Sequence, residues 1–202
     1  MSCLIIVDMQ NDFITGSLAV KDSDVLIQRI NDLLEENERK TSFDFIVYTK
    51  DNHPENHISF NNSNLLTDKE IDSKLNDLSR KFKGVFPPHC VVETLGNEFH
   101  SKLNTKKVDL LVLKGENKFK EEFSGFENPI LNDFLLKNKV KKVFVCGLSF
   151  DFCVGSTAID SAEREYETYV ISNLTFSITP ESENEMKKTL NEKKVALINS
   201  TR

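Results

Sequence analysis

Short runs of β-branched and aromatic residues alternate along the chain with longer stretches of helical period. Six runs read as strands: 3–7 (CLIIV), 44–49 (DFIVYT), 109–113 (DLLVL), 142–146 (KVFVC), 168–172 (TYVIS) and 194–198 (KVALI). They are continuously apolar, which suits strands buried on both faces of a parallel sheet. Between them, Leu26, Ile30, Leu33 and Leu34 form one helical stripe and Ile130, Phe134 and Leu135 a second. Val154, Ala158 and Ala162 form a third, whose small residues permit close approach to a sheet. Thr179 is placed to cap a last helix, with Pro180 in its first turn, acids following at Glu181, Glu183 and Glu185, and lysines later at Lys187 and Lys188. This alternation predicts an α/β fold, a three-layer α/β/α sandwich on a six-stranded, mostly parallel sheet. Ligands of such folds bind beyond the carboxyl ends of the strands, where strand order reverses.

Residues 61–83 (NNSNLLTDKEIDSKLNDLSRKFK) depart from the alternation, being polar with Ile71, Leu75, Leu78 and Phe82 at helical spacing. A surface helix over the core is the simpler reading; a cap beside a site is the functional one. No repeat, low-complexity tract or linker interrupts the chain. Residues 1–202 therefore read as one domain with a polar helical insertion at about 61–83.

The 202 residues are 39% hydrophobic and 29% charged, with 7 Gly and 5 Pro, a globular composition. The 26 basic against 32 acidic side chains give a net charge of −6 without a basic stripe, which argues against nucleic acid as a partner. No apolar run approaches the roughly 20 residues of a membrane span. The opening MSCLIIVDMQ has no basic segment of a signal peptide, so the reading is cytoplasmic, without a membrane. In that compartment the four cysteines are expected to be free thiols. Cys3 and Cys146 sit in apolar runs as small hydrophobes. Cys90 and Cys153 lie where a chain leaves a strand or enters a helix.

Three residues could carry chemistry together. Asp8 ends the first strand, and Lys114 follows the third in the same way. An ammonium close to Asp8 favours the ionised carboxylate and depresses its pKa by about 1–3 units. Cys153 falls in the first turn of a helix, where amides and the helix dipole stabilise a thiolate. Each alone has a plainer reading as a turn aspartate, a solvated lysine or a packed cysteine. Asp51 and His53, two apart in TKDNHPENH, point to one face of an extended segment and can share an ion. His89, in VFPPHCV, can supply a third ligand with positions left open for water. His57 has an equal claim by spacing and His100, in GNEFHSK, the weakest.

Five segments in order, IIVDMQNDFITGSLAV, TKDNHPENHISF, GVFPPHCV with a following TLG, LKGENKFKEEFSGF and CGLSFDFCVGSTAIDSAEREYETYVISN, resemble the nicotinamidase branch of the isochorismatase-like cysteine hydrolases. The resemblance covers most of the chain. It implies a catalytic triad of Asp8, Lys114 and Cys153, metal ligands Asp51, His53 and His89, and a structural His57 with Cys90 beside a ligand. It further implies a cis Leu148–Ser149 peptide, an oxyanion hole from the amides of Ser149 and Cys153, and Phe13 as a face on which the substrate stacks. The implied reaction takes nicotinamide, or an analogue such as pyrazinamide, to its acid and ammonia, in NAD salvage. One divalent cation is implied; zinc suits two imidazoles and a carboxylate, and iron or manganese also fit. Family members often self-associate, so a homo-oligomer is an expectation. Tryptophans usual in both metal-site segments are replaced by Asn52 and Phe86, and Phe150 stands where a small or hydroxylic residue is usual. These changes are expected to fall on the aromatic walls around a planar ring. The competing readings are another small-amide hydrolase acting on a carbamoyl or ureido compound, and a catalytically idle binding protein on the same fold. A redox thiol protein built on Cys90 and Cys153 ranks last, since neither has a C-x-x-C partner.

Overall fold

The first strand explains the layers. Cys3, Ile5 and Val7 pack into one apolar core and Leu4 and Ile6 into another, all with no exposure. Alternate side chains of one continuous apolar run thus serve opposite faces of the sheet. The computed structural model describes residues 1–40, 42–67, 69–73 and 75–200. Its strands are β1 (Ser2–Val7), β2 (Phe45–Asp51), β3 (Leu110–Lys114), β4 (Lys142–Leu148), β5 (Glu167–Phe176) and β6 (Ala196–Ile198). They form one sheet in the order β3-β2-β1-β4-β5-β6, every neighbouring pair parallel. The helices are α1 (Asn11–Ile14), α2 (Asp24–Lys40), α3 (Lys69–Asp72), α4 (Asp77–Lys81), α5 (Pro129–Lys137), α6 (Gly155–Glu163) and α7 (Pro180–Glu192). None among the described residues is long and apolar enough to cross a membrane.

Leu26, Ile30 and Leu34 of α2 cover one face, while Leu131 and Leu135 of α5, Ala158 of α6 and Leu190 of α7 cover the other. The α5 stripe corrects the sequence reading, because Ile130 is 46% exposed and Leu131 is buried in its place. The Asn128 side chain accepts the Ile130 amide and Pro129 opens the helix, which sets its phase so that Leu131 and Leu135, four apart, face the sheet. At α7 the Thr179 side chain accepts the Ser182 amide, as its sequence implies. β5 outruns residues 168–172 because it bulges: Val145 pairs with Val170, but Gly147 pairs with Thr175.

The 61–83 stretch is not one helix. Asn76 accepts the Ser79 amide at 2.8 Å and starts α4 as a separate helix after α3. Ile71 and Leu75 bury themselves with Ile58 and Leu65 in a satellite cluster, and Leu78 is half-buried. Asp68 and Lys74 of this stretch, and Thr201 and Arg202 at the end of the predicted 1–202 span, lie outside the described residues.

Strand order reverses at β1. The chain runs outward from β1 to β2 and β3, then returns to place β4 on the other side. The crevice at the carboxyl ends of these central strands receives Asp8, Asp51, Lys114 and Cys153.

Candidate active site

Parallel register brings the charged residues together. Asp51 ends β2 directly opposite Lys114, the last residue of β3, and Asp8 follows β1 one step beyond the Val7–Thr49 pair. Asp8 and Lys114 are 0% and 1% exposed. Lys114 Nζ lies 2.8 Å from Asp8 Oδ2, pairs with Asp51 Oδ1, and donates to Cys153 Sγ at 3.3 Å. Asp8 Oδ1 accepts the Thr49 hydroxyl at 2.6 Å. Cys153 arrives from the neighbouring strand: β4 ends at Leu148, a cis peptide links it to Ser149, and a π-helical turn over Phe150–Val154 leads into α6. The Ser149 carbonyl accepts the amides of Phe152 (3.2 Å) and Val154 (3.0 Å), fixing the turn that presents the thiol.

Burial changes the electrostatics expected from sequence. It pushes the Asp8 carboxyl above its ordinary value, and the pull of Lys114 does not offset it. For Asp51 burial also acts upward, yet Lys114 and His53 outweigh it and hold that carboxyl well below the carboxylate range. Lys114 does favour the ionised Asp8, as the sequence suggests, but burial outweighs it and the net shift is upward, so the expected net depression is corrected. Burial likewise drives the Cys153 thiol well above its ordinary value; Lys114 opposes this, while Asp8 and Asp51 reinforce it. A helix start alone therefore leaves the thiol protonated, with Asp8 beside it as proton acceptor. Lys114 stays an ammonium, because Asp51 and Asp8 outweigh the desolvation that acts against its charge.

Asp51, His53 and His89 are all buried, and one ligand atom from each lies within 4.8 Å of the others. His53 Nδ1 lies 3.0 Å from the Gly115 carbonyl and His89 Nδ1 lies 2.8 Å from the Pro87 carbonyl. Donation from both Nδ1 atoms leaves each Nε2 with a free lone pair. His53 Nε2 is buried without a hydrogen-bond partner, 3.5 Å from Asp51 Oδ2. Burial and the neighbouring His53 lower His89 to about 4, so it is neutral near pH 7. Burial acts to lower His53, yet Asp51 outweighs it and raises that imidazole above its ordinary value, so a cation there would displace a proton from His53. Two imidazole nitrogens and a carboxylate suit a divalent cation. Gly115, at φ +71°, has no room for a Cβ, which would meet the His53 ring at 2.4 Å. His57 is consumed elsewhere: Nε2 lies 3.0 Å from the Lys120 carbonyl and Nδ1 2.7 Å from the Ser59 hydroxyl. His100 accepts the Lys102 amide and lies outside the cavity.

The cavity over Cys153 has apolar walls of Phe13, Phe86, Phe123 and Phe152, a rim of Leu18, Val20 and Ile178, and a polar side of Asp51, His89, Glu121 and Ser149. Phe86 lines it as expected, but Asn52 and Phe150 do not. Asn52 turns outward to Glu116 at 3.0 Å. Phe150 packs into the core at 4% exposure and borders a separate hollow of about 250 Å³ between β5 and α7. Phe82, from the 61–83 stretch, stacks on Phe86 with centroids 5.6 Å apart, and Ser79 accepts the Glu121 amide at 2.9 Å. That stretch therefore does lie against the site.

Several site residues went unread in the sequence. Thr49 looks like an ordinary β-branched strand residue. Glu121 lies among charged neighbours in KFKEEF, yet it is 3% exposed with Oε2 unpartnered. Gln10 and Asn97 bond backbone atoms, which leaves no pattern of spacing. Cys90 is buried, and burial raises its thiol well above the usual value. All four cysteines are unbridged.

A parallel α/β sheet with Asp, Lys and Cys converging at its switch point defines the class, and the profile of the isochorismatase domain matches residues 2–202; the chain belongs to that family. Within it, the chain is similar to a nicotinamidase of Schizosaccharomyces pombe, 34% identical over 209 residues that span 96% of this chain and 91% of the relative. Among solved structures it superposes on a pyrazinamidase of Pyrococcus horikoshii in complex with zinc, with TM-score 0.80, 32% identity and coverage of 98% of this chain and 99% of that one. It also superposes on the yeast nicotinamidase bound to the inhibitor nicotinaldehyde, with TM-score 0.83, 31% identity and coverage of 99% and 100%.

Proposed function

We propose that this protein is a metal-assisted cysteine amidohydrolase that converts nicotinamide to nicotinate and ammonia, a step in NAD salvage. One observation carries the reading: Cys153 Sγ, 3.3 Å from Lys114 Nζ and within 4.8 Å of an Asp8 carboxylate oxygen, opens into a phenylalanine-walled cavity that also bears Asp51 and His89. Its relatives with nicotinamidase activity support the substrate.

In this reading Asp8, its basicity raised by burial, takes the Cys153 thiol proton, and the thiolate attacks the carboxamide carbon. The backbone amides of Ser149 and Cys153 receive the oxyanion, each well-placed donor contributing about 3–4 kcal/mol. Asp8 returns the proton to the amide nitrogen as the C–N bond breaks and ammonia leaves. The same carboxylate then deprotonates a water that cleaves the thioester. Lys114 remains an ammonium throughout and compensates the charge that develops on its neighbours.

Asp51, His53 and His89 would hold one divalent cation. Zinc is the favoured ion, on the donor set and on the zinc held by the similar Pyrococcus horikoshii enzyme. Bound there, the cation supplies a Lewis-acid contact for a pyridine nitrogen. Phe13, Phe86, Phe123 and Phe152 bracket the ring and keep its carboxamide over Cys153. Ammonia release by purified protein, measured on nicotinamide against pyrazinamide and a panel of carbamoyl and ureido compounds, tests the reading. Fastest turnover of nicotinamide is expected; faster turnover of a ureido compound would contradict it.

A further inference from the structure

The two segments that carry Asp51, His53 and His89 come from distant parts of the chain, so their spacing needs a source. Gln10, just after β1, has no exposure, and its side-chain amide behaves like a strand edge. Its Oε1 accepts the Asp51 amide at 2.8 Å, and its Nε2 donates at 2.8 Å to both the Asp51 and the Asn97 carbonyls. Asn97, 3% exposed, donates from Nδ2 to that same Asp51 carbonyl at 2.7 Å and to the Cys90 carbonyl at 3.0 Å. The Cys90 carbonyl also accepts the His53 amide at 3.1 Å. Two neutral side chains therefore tie the backbone of residue 51 to that of residue 90, beside His89, without touching the candidate ligand atoms.

We propose that Gln10 and Asn97 are positioning residues that set the spacing of Asp51, His53 and His89 and thereby the affinity of that site for its cation. The inference rests on the metal site proposed above. Loss of Gln10 leaves the buried Asp51 amide unpaired, and loss of Asn97 removes the side-chain link between the Asp51 and Cys90 carbonyls; the two segments are then held together only by the backbone bonds of His53 to Cys90 and Val92, and the spacing of the ligands is less tightly set. Partners that orient ligands in this indirect way are typically worth about 10–100-fold in metal affinity.

The test titrates Zn2+ into chelator-stripped wild type, Gln10→Met and Asn97→Leu by competition with a chromogenic chelator, with thermal unfolding of each metal-free protein alongside. Both variants keep the site's charge unchanged and remove different donors, so either one that unfolds cooperatively decides the matter. The expected result is a Kd weaker by about 10–100-fold, with ammonia release regained at excess Zn2+. A Kd within twofold of wild type overturns the inference, as does lost turnover that excess Zn2+ fails to restore. Wild type that takes up no Zn2+ would overturn the metal reading itself, an outcome distinct from variants that bind as tightly as wild type.

Discussion

At the residue scale the site turns on Lys114, a single ammonium between two buried carboxylates and a thiol. Asp51 and Asp8 hold it charged, and it in turn makes two buried anions tolerable. Lys114→Met should leave Asp8 and Asp51 as uncompensated buried charges, costing about 3–5 kcal/mol of stability. Urea unfolding of the metal-free protein checks this, and a loss under about 1 kcal/mol would mean the pair is already relieved by protonation of Asp8. Asp8, Lys114 and Cys153 were legible in the sequence as candidates where an apolar run stops or a helix begins, and as a triad only through the resemblance of the five segments. Their charge states were not legible, since these depend on burial: the same lysine leaves Asp8 above and Asp51 below the ordinary carboxylate value. Thr49, Gln10, Asn97 and Glu121 stayed hidden for a related reason. Their importance lies in what they bond, and a buried polar side chain has the same letter as a solvated one.

At the element scale the continuous apolar runs forecast the sheet well, and each of the six corresponds to a strand. Helix phase was harder. Phe134 and Leu135 pack on the core as the stripe implied, but its first member is Leu131 and not Ile130, because the Asn128 cap and Pro129 set where the first turn begins. Leu131→Ala should therefore cost about 2–5 kcal/mol, while Ile130→Ala should stay within about 0.5 kcal/mol. Denaturant midpoints of the two variants check the assignment, and the reverse order would refute it. The 61–83 stretch shows the limit of periodicity: Ile71, Leu75, Leu78 and Phe82 keep helical spacing across the Asn76 cap that starts a new helix. Its contact with the cavity, through Phe82 and Ser79, follows from tertiary packing.

At the scale of the whole molecule, the order β3-β2-β1-β4-β5-β6 gives every local feature its place. The alternation of strands and helices forecast a doubly wound sheet, but not which strands are neighbours. Only that order sets Asp51 beside Lys114 and both across from Cys153. Because the candidate metal donors come from two distant segments of the chain, cation binding should stabilise the whole fold by mass action, by about 2.7 kcal/mol at 100 times Kd. For a chain of this size that is roughly 5–10 °C in Tm. Thermal unfolding of chelator-stripped protein with and without Zn2+ measures it, and His53→Ala should lose the shift. An equal shift in that variant would place the cation elsewhere. The central claim is that Cys153 is the nucleophile of a nicotinamide hydrolase. The most direct test is ammonia release from nicotinamide by wild type and Cys153→Ala, with nicotinamide binding to both followed by calorimetry. The account predicts steady release by wild type, a fall of about 10⁴-fold or more in the variant, and binding retained in both. Comparable release by the two proteins would contradict it.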